Sequence, residues 1–117
     1  MLISELRVMV DVKDLSAVRK FYQNILGFQE RVLPDAEEEI AMFELGEGRV
    51  IEFFAEQEIQ RSQKLELSLE VPDVRVLWER LQEQVTVVFP LRHNEWGDTS
   101  FAIKDPAGCT LIFFTRD

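Results

Sequence analysis

The chain has 117 residues, 46% of them hydrophobic and 30% charged, which excludes a disordered chain and leaves room for one domain over residues 1–117. Thirteen Lys and Arg stand against 22 Asp and Glu, and the formal charge of -9 disfavours nucleic acid and anionic membranes as partners. The single Cys109 excludes a disulfide framework, and the lack of a long apolar run favours a soluble, cytoplasmic protein without membrane contact.

The first predicted elements are a strand and a helix. Residues 6–12 alternate between apolar and more polar side chains, which is the period of a strand with one packed face. Asp14 is a favourable helix N-cap, and apolar residues then recur at helical spacing until Gly27. We therefore predict an amphipathic helix from Asp14 to Gly27.

Three strands are predicted to follow this helix, at residues 29–33, 40–45 and 50–55. An acidic run from Asp35 to Glu39 and a turn at Gly46 to Gly48 separate them. A polar connector over residues 56–64 then ends the first half of the chain.

The second half repeats this order of elements. Residues 65–71 alternate as a strand does, and Asp73 is expected to open a helix with one apolar face. Three further strands are predicted at residues 85–91, 99–104 and 110–114, with a type I turn at residues 105–108 between the last two.

The two halves are predicted to be an internal repeat. Asp14 and Asp73 lie about 60 residues apart, as do Gly48 and Gly108, whose turns precede the similar segments VIEFF and TLIFF. The fold class is therefore α+β, with two tandem βαβββ units over roughly residues 1–56 and 64–117. A ferredoxin-like domain is disfavoured, because it would have two strands and then another helix where this chain has three strands.

The motifs FYQNILGF, VIEFF, VPDVRVLWERL, EWGDTSFAIKDPAG and LIFF occur in this order along the chain. Together they resemble the vicinal oxygen chelate superfamily, which includes glyoxalase I, extradiol dioxygenases and bleomycin-resistance proteins. The resemblance covers essentially the whole chain. It implies two units that form a curled mixed sheet around a cleft, and a homodimer. Catalytic members of that family hold a divalent metal in the cleft on four side chains, commonly His or Gln, Glu, His and Glu.

Aligned through the helix starts and the DPAG turn, the four metal positions of that family fall on Arg7, Glu52, Glu66 and Ile112. Only Glu52 is of the usual type. Arg does not give up its proton and Ile has no lone pair, so two carboxylates remain, too few for a strong octahedral site. We expect no cofactor, with a divalent metal on Glu52 and Glu66 as the alternative. We also expect Arg7 to form ion pairs with these two carboxylates.

Strand parity places these positions on the side of each strand that faces the expected cleft. Neighbours of the same parity add apolar and polar side chains to its wall. The expected ligand-binding set is Arg7, Met9, Glu52, Phe54, Glu66, Ser68, Trp96, Ile112 and Phe114.

Three residues near the end of the chain have chemistry of their own. Trp96, beside Gly97, is expected to stack on a flat or cationic ligand, or to plug the rim of the sheet or form a dimer contact. His93, the only histidine, is expected in a polar loop as a solvated side chain. Cys109 follows a turn without a nearby His base, so we do not expect it to be a nucleophile.

Three functions from different classes remain open at this point. The first is a metal-free small-molecule binding protein resembling bleomycin-resistance proteins, with a cationic or aromatic ligand and no catalysis. The second is a metal-dependent lyase, isomerase or dioxygenase that uses Glu52 and Glu66. In the third, the cleft is vestigial and the domain only dimerises or binds protein. We favour the first, because Arg7 and Ile112 are poor substitutes for metal ligands.

Overall fold

The computed structural model of the protein describes residues 1–32, 39–59 and 64–117. These fall into two compact units, Met1–Gln60 and Arg61–Asp117, each with its own four-stranded mixed sheet. The predicted acidic run lies outside the described residues except for Glu39, and part of the predicted polar connector also lies outside them. No helix in the described ranges has both the length and the apolar character needed to cross a membrane. That residues 1–117 form one domain stays a prediction.

The first unit has the predicted order of strand, helix and three strands. Its sheet order is β1-β4-β3-β2, with β1 parallel to β4 and the other pairs antiparallel. The parallel pair arises because the chain crosses over through the helix before it returns. The elements are β1 (Leu6–Val12), α1 (Leu15–Arg19) with a π-helical continuation (Lys20–Ile25), β2 (Gln29–Glu30), β3 (Ile40–Gly46) and β4 (Arg49–Ala55).

The predicted single α-helix from Asp14 to Gly27 is wrong in its second half, which is π-helical. Leu26 donates its N–H to the Phe21 carbonyl, five residues back, at 2.9 Å. Phe21 and Tyr22 are both buried in this segment.

The core of the first unit lies between this helix and one face of the sheet. Tyr22 is 1% exposed, and its ring centroid lies 5.4 Å from that of Phe43 and 5.1 Å from that of Phe53. Val10 is buried in the same row as Phe53. The even-numbered residues of β1 thus face the helix, and the odd-numbered ones lie on the opposite face.

The second unit repeats this topology, with sheet order β5-β8-β7-β6 and β5 parallel to β8. Asp73 caps the helix, accepting hydrogen bonds from the N–H groups of Arg75 and Val76. Phe101 is fully buried and contacts the rings of Trp78 and Phe113. The elements are β5 (Glu66–Glu70), α2 (Val74–Leu81), β6 (Thr86–Asn94), β7 (Asp98–Lys104) and β8 (Thr110–Arg116). The predicted α+β class with two βαβββ units is confirmed.

Three strand predictions differ from the structure by two residues or more, and β8 is one of them, since it runs to Arg116 rather than to residue 114. β2 ends at Glu30. The next residue, Arg31, still donates its N–H to the Met42 carbonyl at 2.8 Å. The side chain of Val32 is not packed, since this residue is 81% exposed. β6 runs to Asn94, three residues beyond the predicted end, because pairing with β7 continues past the irregularities around Pro90. An outer strand tolerates a proline and bulges without losing its ladder.

Candidate functional site

The outward face of the first sheet carries the first set of predicted site residues. Arg7 and Met9 on β1, and Glu52 and Phe54 on β4, all point away from the helix, since the intervening residues form the core. In the strand register Met9 lies beside Glu52, and Met42 of β3 lies beside Glu52 on its other side. Neighbouring strands are about 4.8 Å apart, so this face holds a row of methionine, glutamate and methionine.

Glu52 is a buried carboxylate without a protein partner. It is 6% exposed, and within the described ranges no residue forms a hydrogen bond or ion pair with its side chain. Every described side-chain nitrogen or oxygen that is sealed from solvent has a partner. The Glu52 oxygens therefore retain some contact with solvent.

Arg7 does not form the predicted ion pair with Glu52. Its Nε lies 2.6 Å from Oε2 of Glu5, and in the strand register Arg7 is beside Val50 rather than Glu52. The prediction was wrong because it considered only residues within the strands, whereas Glu5 precedes β1 and has the same parity as Arg7. The expected pairing of Arg7 with Glu66, which belongs to the other unit, stays a prediction.

Glu5 holds two arginines at once. Arg31 lies 2.8 Å from Glu5 through Nη2, and 2.8 Å from Glu44 through Nε. Hydrogen bonds from Arg31 and then from Arg7 hold the pKa of the Glu5 carboxyl below its ordinary value. Hydrogen bonds to Glu5 and Glu44 raise the pKa of Arg31. The positive charges of this face are thus engaged by Glu5 and Glu44.

The second sheet carries the other set of predicted site residues on its own outward face. Glu66 pairs in register with Thr110, and Ser68 with Ile112, so these side chains form adjacent rows. Phe114 is one row further along, beside Glu70. Glu66 and Ser68 are exposed, and Ile112 and Phe114 are half-buried. Among the described residues this face presents the carboxylate of Glu66, the hydroxyl of Ser68 and the apolar side chains of Ile112 and Phe114, while Glu70 is paired with Arg116 at 3.5 Å.

The side chains at the four family metal positions do not fit a divalent metal. Arg7 is a cation already bound to a carboxylate, and Ile112 is a hydrocarbon. Among the residues that the structure describes, no group of three or more His, Cys, Asp or Glu is placed to hold a metal ion. Only the carboxylates of Glu52 and Glu66 remain as donors, one in each unit.

Trp96 and Glu66 lie toward opposite ends of β8. It occupies the turn between β6 and β7, which lies beside the end of β8, where Asp98 pairs with Arg116. Glu66 pairs with the start of β8, roughly 20 Å away along the strand. The indole is 74% exposed, so it does not plug the rim of its own sheet. Ligand stacking and a dimer contact stay predictions for Trp96.

His93 is at the end of a strand, not in the predicted loop. It pairs with Thr99 across the β6–β7 hairpin, and its Nδ1 lies 3.0 Å from Oδ2 of Asp117. The other oxygen of Asp117 accepts a hydrogen bond from the Thr99 hydroxyl at 3.2 Å. The predicted solvent exposure of His93 is correct, but its role is to join the strand ends.

The first unit also has an open depression of about 540 Å³. It is lined by Gln29, Arg31, Glu44 and the turn Gly46–Gly48, and none of the predicted site residues lines it. Arg31 is paired with acids on both sides, so the depression presents no uncompensated cation. Glu52, in contrast, is a buried carboxylate without a partner among the described residues.

Sequence reasoning missed two residues of this face, Glu5 and Met42. Met42 had a usable signal: it lies as many residues before Glu47 of the hairpin turn as Glu52 lies after it, which places the two opposite each other. Glu5 has the parity of Arg7, but nothing in the local sequence shows that Arg31, 26 residues away, would also reach it.

Comparison with known proteins identifies the family that this chain matches. The model of the Glyoxalase/Bleomycin resistance protein/Dioxygenase superfamily matches residues 6–113 of this chain. Among curated proteins, none matches the chain in sequence.

Solved structures of similar fold cover nearly the whole chain. TioX from Micromonospora sp. ML1 has a TM-score of 0.82 at 18% identity, covering 97% of this chain and 99% of that one. A glyoxalase/bleomycin resistance protein from Catenulispora Acidiphila DSM 44928 has a TM-score of 0.75 at 23% identity, covering 97% and 98%. A glyoxalase/bleomycin resistance protein/dioxygenase family enzyme from Burkholderia phytofirmans PsJN has a TM-score of 0.79 at 18% identity, covering 95% and 97%. At these identities the likeness concerns the fold.

Proposed function

The chain belongs to the glyoxalase/bleomycin resistance protein/dioxygenase superfamily, and on that premise we propose that it is a metal-free binding protein for a cationic or aromatic small molecule. In this it would resemble the bleomycin-resistance proteins of the superfamily. The proposal assigns no catalytic step to the chain. The ligand would contact outward-facing residues among those predicted for the site.

The observation that carries the proposal is the state of the four metal positions. Arg7 is bound to Glu5 at 2.6 Å, and Ile112 presents only hydrocarbon. Two carboxylates without imidazole or a third anionic ligand bind Mn, Ni or Fe weakly. A binding role needs no such ligands, and the same faces keep the apolar side chains Met9, Phe54 and Phe114.

The charge of the chain supports a cationic ligand. The formal charge is -9, and a negative field raises the local concentration of cations and speeds their encounter with the protein. The net charge therefore supports a positively charged ligand.

The test is a measurement of metal content and of Mn, Ni, Fe and Zn binding by calorimetry. Tag-free protein is required, because a histidine tag binds these ions itself. We expect no stoichiometric metal and no tight binding. Stoichiometric metal with sub-micromolar affinity would overturn the proposal and favour the alternative, a metal-dependent lyase, isomerase or dioxygenase that uses Glu52 and Glu66.

Two further expectations accompany this proposal. A homodimer is proposed from the family resemblance, with sedimentation equilibrium as its test, and a monomer at all concentrations would contradict it. The cytoplasmic location likewise stays a prediction, based on composition.

A further inference from the structure

We propose that Glu52 selects the charged group of the ligand, and that this group is a protonated amine, amidine or guanidine attached to an apolar body. The inference rests on the proposed function and names the ligand class for the same site.

The first argument is the state of the Glu52 carboxylate. The residue is 6% exposed, and its side chain has no partner among the described residues. A ligand that covers the carboxylate oxygens removes their remaining contact with water, which is strongly unfavourable unless the ligand supplies a donor or a counter-charge. A ligand that brings both a positive charge and N–H donors relieves this, whereas a neutral ligand does not.

The second argument is that, among the described residues of the first unit, no cation pairs with Glu52. Arg7 and Arg31 lie on the outward face of its sheet, and Glu5 binds both of them, at 2.6 and 2.8 Å. Arg31 also binds Glu44 at 2.8 Å. Because these acids engage both guanidinium groups, Glu52 keeps its negative charge available to a cation from outside.

The third argument concerns the surroundings of the carboxylate. Met9 and Met42 flank Glu52 in the same row, and Phe54 lies two residues further along β4 on the same face. Met9 is 65% exposed and Met42 is 2% exposed. Thioether and aromatic side chains form an adaptable apolar surface. Met9 and Phe54 therefore favour hydrocarbon or aromatic groups next to the ligand's cation, and Asp11, beside Phe54 in the strand register, adds a second acidic residue to this face.

The carboxylate also discriminates between kinds of organic cation. Its oxygens have free lone pairs, which N–H donors satisfy at hydrogen-bond distance. A quaternary ammonium has no N–H group, and its methyl groups surround the charged nitrogen. It therefore donates no hydrogen bond to the carboxylate oxygens. The inference therefore favours cations that carry N–H groups.

The experiment compares three ligands that share one apolar body: 1-naphthylmethylamine, its N,N,N-trimethyl analogue and 1-naphthalenemethanol. Each is titrated by calorimetry into the wild-type chain, into Glu52→Gln and into Glu47→Gln. The last variant loses the same charge from an exposed position in the β3–β4 turn and is the matched control. Circular dichroism establishes that the variants are folded.

We expect the wild-type chain and Glu47→Gln to bind the amine about 10- to 100-fold more tightly than the alcohol, as charge-assisted hydrogen bonds provide. We expect Glu52→Gln to lose this preference. Equal binding of amine and alcohol by the wild-type chain would overturn the inference and leave the proposed function standing. Equal binding of the trimethyl analogue and the amine would overturn the requirement for N–H groups.

Two remaining outcomes are also decisive. If Glu52→Gln does not fold, the comparison of the three ligands on the wild-type chain decides by itself. If none of the three ligands binds, the inference is overturned, while the metal titration described above tests the proposed function separately.

Discussion

The side chain of Glu5 determines where the positive charges of the first sheet lie. It accepts hydrogen bonds from Arg7 and Arg31, one from the neighbouring strand residue and one from far along the chain. These bonds lower the pKa of the Glu5 carboxyl. The pairs are partly exposed, so salt screens them and their contribution to stability is small. They also determine the positions of the two arginines.

The lowered pKa of Glu5 predicts a pH-dependent effect of Glu5→Gln on stability. A carboxyl whose pKa is lower in the folded state contributes stability above its ordinary value of 4.5, and this contribution is lost as pH falls through the folded value. The variant should therefore unfold at lower urea than the wild type near neutral pH, and the gap should close in acid. Urea unfolding from about pH 7 to about pH 3 measures it; a gap that stays constant would contradict the assignment.

Removing Glu5 should also weaken the binding of an organic cation. In Glu5→Gln the Arg7 side chain loses its partner and is free to turn toward Glu52, diagonally across the strand pair. We expect the affinity for 1-naphthylmethylamine to fall about threefold to tenfold. The double variant Glu5→Gln/Arg7→Gln should recover most of the affinity. If it binds as weakly as the single variant, Arg7 is not the competitor.

At the scale of elements, each unit is organised by one capped helix that packs on one sheet face. Asp14 accepts a hydrogen bond from the Ala17 N–H at 3.1 Å, and Asp73 accepts from Arg75 and Val76 at 3.1 and 3.4 Å. A π-helical segment after Arg19 then turns Phe21 and Tyr22 together onto the sheet. The helices thus fix which strand face is core and which is outward.

Loss of the second cap should destabilise the protein without altering its sites. Asp73→Ala removes the acceptor for two free N–H groups, and we expect the free energy of unfolding to fall by about 1 kcal/mol. Asp73→Asn should retain most of the stability, because its side-chain oxygen still accepts. Urea denaturation of both variants measures this, and equal losses in the two would mean that charge rather than the hydrogen bond matters.

At the scale of the whole molecule, the repeat gives each unit the same four-stranded topology. The chain belongs to its superfamily by a match over residues 6–113. The predicted alignment with the family's metal positions places Arg7 and Glu52 in the first unit, and Glu66 and Ile112 in the second. That these positions correspond to the metal ligands stays a prediction.

Restoring the lost ligands should restore metal binding. Arg7→His with Ile112→Glu supplies an imidazole and a third carboxylate, and we expect the affinity for Mn or Zn to rise at least about tenfold over the wild type. Arg7→His alone is the control and should gain less. Calorimetry on tag-free protein measures it; no gain in the double variant would contradict the assignment of these positions to the family's metal ligands.

The sequence by itself determined the βαβββ repeat, the helix starts at Asp14 and Asp73, and the core parity of β1. These depend on period, caps and turns, which are local. Tertiary structure decided four other features. These are the π-helical turn, the short β2, the extended β6 that carries His93, and the absence of an ion pair between Arg7 and Glu52. Each depends on a partner distant in sequence, such as Phe43 for Tyr22, Thr99 for His93 and Arg31 for Glu5. Local pattern does not encode the position of such partners, because it is fixed only when strands pair and side chains compete for the same groups.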